Sequence, residues 1–168
     1  APSRAERERT EFVMRDGKLY RHDKVSDTFR PLKISQGHHA DENPTANQTQ
    51  YVYDKQDVDA RVHVVKAEQQ FATGVYDYIQ AAVQEFGRDH FILTAGVLGT
   101  FYSCHYHVGL TNLYAMLAEK PDLIDYLSHK LLEQNIEVIR AHAMAGGDAI
   151  YIDDAMTTSE MISVKHYE

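Results

Sequence analysis

One cysteine, Cys104, is all the thiol the 168-residue chain carries. A lone cysteine allows no disulfide within the chain and fits a reducing compartment. Long apolar runs are also missing. The least polar stretch, Phe91 to Tyr102, is too short to span a bilayer and is broken by Gly96 and Gly99. No charged-then-apolar leader opens the chain, so a soluble, cytoplasmic protein is expected, with no membrane partner. Basic residues are in deficit, 17 Lys and Arg against 25 Asp and Glu, and the net charge of -8 is spread in mixed rather than blocked form. A phosphate backbone is a poor partner for such a chain, and nucleic acid is not expected. Glycine-rich phosphate loops, paired CxxC, HExxH and internal repeats are absent too. What is present is length enough for one domain, burying roughly two-thirds of its unfolded surface.

Residues 1–10 alternate Arg and Glu with no apolar face and suggest a solvated arm or frayed turn. Next, Phe12, Val13 and Met14 lead through Arg15-Asp16-Gly17-Lys18 to Leu19 and Tyr20, and Asp-Gly between two short apolar runs predicts a β-hairpin. From His22 to Asn47 the chain is polar and irregular, with Pro31 and Pro44, which predicts a long loop. Its His38, His39, Asp41 and Glu42 are metal-ligating types. Adjacent histidines, however, point to opposite faces of an extended strand, so solvated histidines are expected rather than a shared ion.

Asp57 and Asp59 introduce an amphipathic helix running to Phe86, with Val58, Val62, Val65, Gln69 and Ala72 at three- and four-residue steps. A break is expected near Gly74, and Gly87 closes the helix. Phe91 to Gly96 reads as a strand, Asn112 to Ala118 as a short helix, and Pro121 as the first turn of a longer one. That helix should stop at Gly146-Gly147, where glycine tolerates the positive φ of a helix exit. Ala149-Ile150-Tyr151-Ile152 then forms a strand without polar alternation, as in a parallel sheet covered on both faces. Helices alternating with such strands mean an α/β fold.

In α/β sheets and βα barrels the carboxyl ends of the strands carry the chemistry. Two regions sit there. One is Asp153-Asp154, a carboxylate pair; the alternative is structural, with a helix starting at Thr157, Thr158 or Ser159 near Glu160 and one aspartate bracing the loop. The other is Val97 to Gly109, which gathers Tyr102, Ser103, Cys104, His105, Tyr106 and His107. Ser103 with His105, or Cys104 with His107, lacks a third orienting group, so a catalytic nucleophile is not expected. A histidine serving as proton donor or substrate ligand suits the chemistry of imidazole, and a histidine satisfied by the backbone in a tight loop stands beside it as the other outcome.

Laid end to end, several stretches resemble the uroporphyrinogen decarboxylase superfamily of (β/α)8-barrel enzymes. They are Ala95-Gly96-Val97-Leu98-Gly99-Thr100-Phe101, Gly109, the helix around Met116, Glu119-Lys120-Pro121-Asp122-Leu123, Ala145-Gly146-Gly147-Asp148-Ala149-Ile150, and Asp153-Asp154 leading to Met161-Ile162-Ser163. The resemblance covers nearly half the chain and extends weakly through residues 11–90. It implies a partial (β/α)8 TIM barrel with an N-terminal β-hairpin and loop insertion: residues 1–56 form the arm, hairpin and insertion, and residues 57–168 the central part of the barrel, incomplete at both ends. A whole barrel takes about 250 residues. The chain therefore looks like a piece of a longer protein, inactive by itself, whose open strand edges are covered by missing barrel segments or a second copy.

The superfamily holds cofactor-free decarboxylases of porphyrinogen acetates and corrinoid-linked methyltransferases, the latter often with zinc. The pocket tyrosine of the decarboxylases falls here on Cys104 or His105, and their serine on Ala155. The methyltransferase-like branch is therefore expected, moving a methyl group between a small methylated compound and a corrinoid, thiol or folate acceptor. Tetrapyrrole decarboxylation is the alternative, and a non-catalytic binding module on the same scaffold the second. The resemblance implies Asp153, Asp154, His105 and His107 as catalytic candidates and Gly96, Tyr102 and Cys104 as substrate-binding ones. It implies no metal ligand within the chain and no cofactor for this piece alone. Zinc, cobalamin and a corrinoid protein are implied for the full-length protein, with zinc ligands beyond Glu168.

Overall fold

The computed structural model describes residues 2–32, 51–154, 157–158 and 160–167. His38, His39, Asp41 and Glu42 lie outside the described residues, as do Ala155 and Ser159. Residues 2–10 are not a free arm. Ser3 and Glu6 form a reciprocal capping box that starts helix α1, Arg4–Arg9. Arg4 and Arg7 then reach Asp77 at 2.8 and 2.5 Å, and the Arg4 N–H donates to the Thr73 carbonyl at 2.9 Å, tying the helix to the body of the protein.

The hairpin forms where Asp-Gly predicts it. Strands β1 (Thr10–Arg15) and β2 (Lys18–Asp23) pair antiparallel with Arg15 opposite Lys18. Asp16 and Gly17 both take positive φ, 49° and 70°, which matches the twist of a two-residue hairpin turn. Part of the expected loop is a third strand, β3 (Thr28–Pro31), added to the outer side of β2. Pro31 is tolerated there because it closes an edge strand. On one face of this sheet the His22 ring stacks on Phe29 at 4.0 Å, and its two nitrogens lie 2.9 Å from Glu11 and Asp27. These carboxylates raise the His22 pKa above its ordinary value. A histidine with a raised folded pKa contributes stability that is full below about pH 6.5 and is lost as pH rises through the folded value. The difference in unfolding midpoint between the wild-type chain and His22→Gln should therefore shrink as pH is raised from 5.5 to 8.5, and a difference that grew would remove His22 from the sheet's stability.

The expected helix from Asp57 to Phe86 is three helices: α2 (Lys55–Arg61), α3 (Ala67–Ala72) and α4 (Asp77–Phe86). The extra break falls at Val62-His63-Val64-Val65, where β-branched side chains weaken the helix. Lys66, at the start of α3, makes no side-chain cap. The missing acceptor comes from Glu137, 70 residues away, whose buried carboxylate takes the Ala67 N–H at 2.9 Å and the Lys66 ammonium at 3.1 Å. These donors hold the Glu137 carboxyl below its ordinary range. Glu137→Ala should lower the unfolding midpoint and Glu137→Gln less so, because the amide oxygen still accepts from Ala67. Equal losses would mean the acceptor role is not what counts.

Strand β4 (Leu93–Leu98) is followed by α5 (Thr100–Val108), α6 (Leu110–Glu119), α7 (Pro121–Met144), β5 (Ala149–Asp153) and the short α8 (Val164–Tyr167). Pro121 opens α7, and Gly146 leaves it at φ 90°. β4 and β5 pair in parallel, Leu93 with Ala149 and Leu98 with Asp153, with an irregularity between Thr94 and Val97. The main core lies between α7 and helices α2, α5 and α6, around Val52, Val58, Cys104, Val108, Leu113 and Leu127. This is α/β architecture. No closed barrel is present: the sheets hold three and two strands among the described residues. The expectation of a strand covered on both faces also fails for β5, where Tyr151 and Ile152 are 55% and 58% exposed because no layer among the described residues covers them. No helix among the described residues is long and apolar enough to cross a membrane.

Candidate functional site

The carboxyl ends of β4 and β5 meet at Gly99 and Asp154. The Gly99 N–H donates to the Asp153 carbonyl at 2.6 Å, extending the parallel pairing by one residue as the chain leaves β4. A Cβ on Gly99 would collide with the Cβ and carboxyl of Asp154, so only glycine lets the two segments approach this closely.

Helix α5 begins at once, and Gly99 has no side chain to cap it. The acceptor arrives from β5: Asp154 Oδ1 takes the Tyr102 N–H, third in the helix, at 3.2 Å. An N-cap aspartate in the helix's own sequence would make this same bond. The loop after β5 is tied to the same residue, because the Thr157 hydroxyl donates to the Asp154 carbonyl at 2.8 Å. Burial, and then the neighbouring Asp153 charge, raise the Asp154 pKa against the opposing pull of the Tyr102 N–H. A carboxyl whose proton is held more firmly, at a strand end, is suited to give that proton to a substrate.

The segment from 97 to 109, for which the sequence suggested no helix, is mostly helix, and helical geometry separates its candidates. Tyr102, His105 and Tyr106 share one face, with ring centroids 4.6 Å apart for Tyr102 and His105 and 3.9 Å for His105 and Tyr106. His105 Nδ1 is hydrogen-bonded to the Tyr102 carbonyl. A carbonyl only accepts, so Nδ1 carries the hydrogen and Nε2 is the nitrogen left for another group. The histidine is thus both satisfied by the backbone and equipped with a second nitrogen.

His107 lies off this face. Its carbonyl takes the Val52 N–H at 2.9 Å, and burial, then Arg61 and His105, depress its pKa. Cys104 requires correction as a substrate contact. It is wholly buried in the main core, with Sγ 3.3 Å from both the Thr100 carbonyl and the Ser128 hydroxyl, and burial pushes its thiol up to about 11. The residue faces α7 because residues two apart on a helix turn away from each other, Cys104 inward and Tyr102 and Tyr106 outward. Gly96 lies in β4 within the irregular stretch of its pairing with β5.

Asp153, Asp154 and the backbone of Tyr102 are therefore brought together, His105 stands one turn along α5, and His107 and Cys104 face elsewhere. Sequence reasoning missed two supports. Gly99 could have been found as the glycine between a strand and a helix. Asn135, whose side-chain amide donates to the Leu98 carbonyl at 2.8 Å, sits mid-helix with nothing local to mark it. Among the described residues no three His, Cys, Asp or Glu side chains converge as a metal set. A family model described as Uroporphyrinogen decarboxylase (URO-D) matches residues 35–168. No curated protein and no solved structure matches the chain.

Proposed function

Because the chain belongs to the uroporphyrinogen decarboxylase family over residues 35–168, we propose that it forms part of a family enzyme in which Asp154 delivers a proton to the substrate at the joined ends of β4 and β5. The observation that carries this is the Asp154 carboxyl, half-buried, held by the Tyr102 N–H and raised in pKa beside Asp153. Tyr102 and His105 form the flank along which a substrate lies, and the Asp153 charge favours the protonated form of its neighbour by like-charge repulsion. The chemistry is methyl transfer of the methyltransferase-like branch, from a small methylated compound to a corrinoid, thiol or folate acceptor. Its support is electrostatic: two adjacent carboxylates at a strand end favour a neutral or cationic donor over a substrate bearing several carboxylates.

Decarboxylation of a tetrapyrrole is the second chemistry, favoured by the capacity of paired carboxylates to hold pyrrole N–H groups. The Asp153 and Asp154 carboxylates do not by themselves fit zinc or a corrin ring. A corrinoid protein and the segments or second copy that cover β5 complete the proposed assembly. The test uses the full-length protein. Loss of the methyl group from methylcobalamin to an added thiol, read in the corrinoid absorption, supports methyl transfer. A porphyrin fluorescence change after anaerobic incubation with uroporphyrinogen would move the assignment to decarboxylation. Neither signal, from a folded protein, would leave a binding module on the family scaffold.

A further inference from the structure

Charge is distributed unevenly along the chain. The net charge is -8, yet residues 2–32 carry eight Lys and Arg against six Asp and Glu. In the N-terminal sheet, β2 and β3 place Arg21 directly opposite Arg30. Like charges in that position repel and destabilise a strand pair. Both arginines line one pocket of about 320 Å³, together with Arg9, Ser26 and Thr28.

The two carboxylates in the same pocket are already committed. Asp23 holds Arg9 at 2.6 Å and accepts the Val25 and Ser26 N–H groups at 3.0 and 3.1 Å. Glu6 is taken up by the Ser3 N–H and hydroxyl at 2.8 and 3.0 Å. The Ser3 donors, and after them the Arg21 charge, help hold the Glu6 carboxyl below its ordinary range, but among the described residues neither Arg21 nor Arg30 has a carboxylate at ion-pair distance. Arg21 also lines an adjoining hollow of about 670 Å³ whose wall includes Phe12 and Leu32, two side chains exposed on the sheet. A pair of facing guanidiniums, hydroxyls beside them and an apolar wall on one side form a coherent receptor. Arginine forks match the oxygens of a phosphate two at a time.

We propose that this pocket is a binding site for a phosphate monoester with an apolar body, its phosphate between Arg21 and Arg30 and its body against Phe12 and Leu32. The anion would turn the repulsion across the strands into attraction. The site precedes the residues matched by the family model and shares no lining residue with the strand end at Asp154.

The experiment is a titration of the whole 15N-labelled chain, followed by amide NMR, with inorganic phosphate, with phenyl phosphate, and with sodium chloride at matched ionic strength. Saturable shifts at Arg21 and over Ser26 to Arg30 are expected with both phosphates and not with chloride. Phenyl phosphate should bind at least threefold more tightly and also move Phe12. Arg30→Gln should weaken phosphate at least tenfold, and Arg30→Lys by less, since a lysine keeps the charge but not the fork. Without ligand, Arg30→Gln should unfold at the same temperature or higher at low salt, which separates lost binding from lost folding. Shifts that chloride reproduces, or phosphate binding indifferent to Arg21→Gln and Arg30→Gln, would overturn the site. Equal affinity for the two phosphates would overturn the apolar wall. The same monoester chemistry occurs on a lipid headgroup. Cosedimentation with vesicles containing phosphatidic acid, abolished by Arg30→Gln, would assign the phosphate to a lipid, and phenyl phosphate binding without cosedimentation would assign it to a soluble compound.

Discussion

Asp154→Asn is expected to lower turnover of the full-length enzyme by roughly 10²- to 10⁴-fold, the usual contribution of a positioned proton donor. The fold should survive. The asparagine oxygen can still accept the Tyr102 N–H, so the start of α5 keeps its cap. Stability should in fact hold or rise at neutral pH, because the buried carboxylate and its repulsion from Asp153 disappear. The sign follows from linkage. A carboxyl whose folded pKa is raised binds its proton more tightly in the folded state, so the wild-type chain loses stability as pH rises from about 3.9 through the folded value. The advantage of Asp154→Asn is therefore full above that window and vanishes below it. Asp154→Ala is the control: it removes the cap and should cost about 1 kcal/mol. Turnover of Asp154→Asn at the wild-type rate would end the proton-delivery role, whatever its stability.

The second large effect belongs to Gly99. Gly99→Ala is expected to destabilise by about 1 to 3 kcal/mol, as overpacking of a close contact does, and to lower turnover about 10²-fold by displacing the carboxyl. The backbone at Gly99 is ordinary, with φ -55°, so the loss comes from the collision and not from backbone strain. A double-mutant cycle separates the two. In an Asp154→Gly background, which removes both the Cβ and the carboxyl, Gly99→Ala should be cheaper by more than about 0.5 kcal/mol. Strict additivity of the unfolding free energies would show that the two residues do not press on each other.

Much of the architecture was legible because its signals are local. Asp16-Gly17 specified a turn with two positive φ values, Pro121 a helix start, and Gly146 a helix exit. The alternation of helices with apolar strands gave α/β and put Asp153 and Asp154 at a strand end. The errors have a common cause. Helix α5 gave no helical signal because Thr100, Phe101, Tyr102 and Val108 are weak helix formers and because its cap lies 52 residues downstream. The separate start of α3 was hidden for the same reason, its cap being Glu137. β3 was hidden by its charges: an edge strand with Arg30 and Pro31 carries no apolar alternation. Cys104 was misjudged because the face a residue presents on α5 depends on first knowing that α5 is a helix.

The two distant caps also bear on the order in which the chain acquires its structure. A bond between residues 52 or 70 positions apart cannot form until the intervening loop has closed, which slows its appearance relative to local pairs. The N-terminal hairpin has no such debt and can form as soon as Asp23 is available. Helix α5 is different. Its first turn waits for β5 to arrive, as that of α3 waits for the middle of α7. On a growing chain, residues 100–108 stay without their acceptor until Asp154 has been added, so the strand end is assembled among the last events of folding.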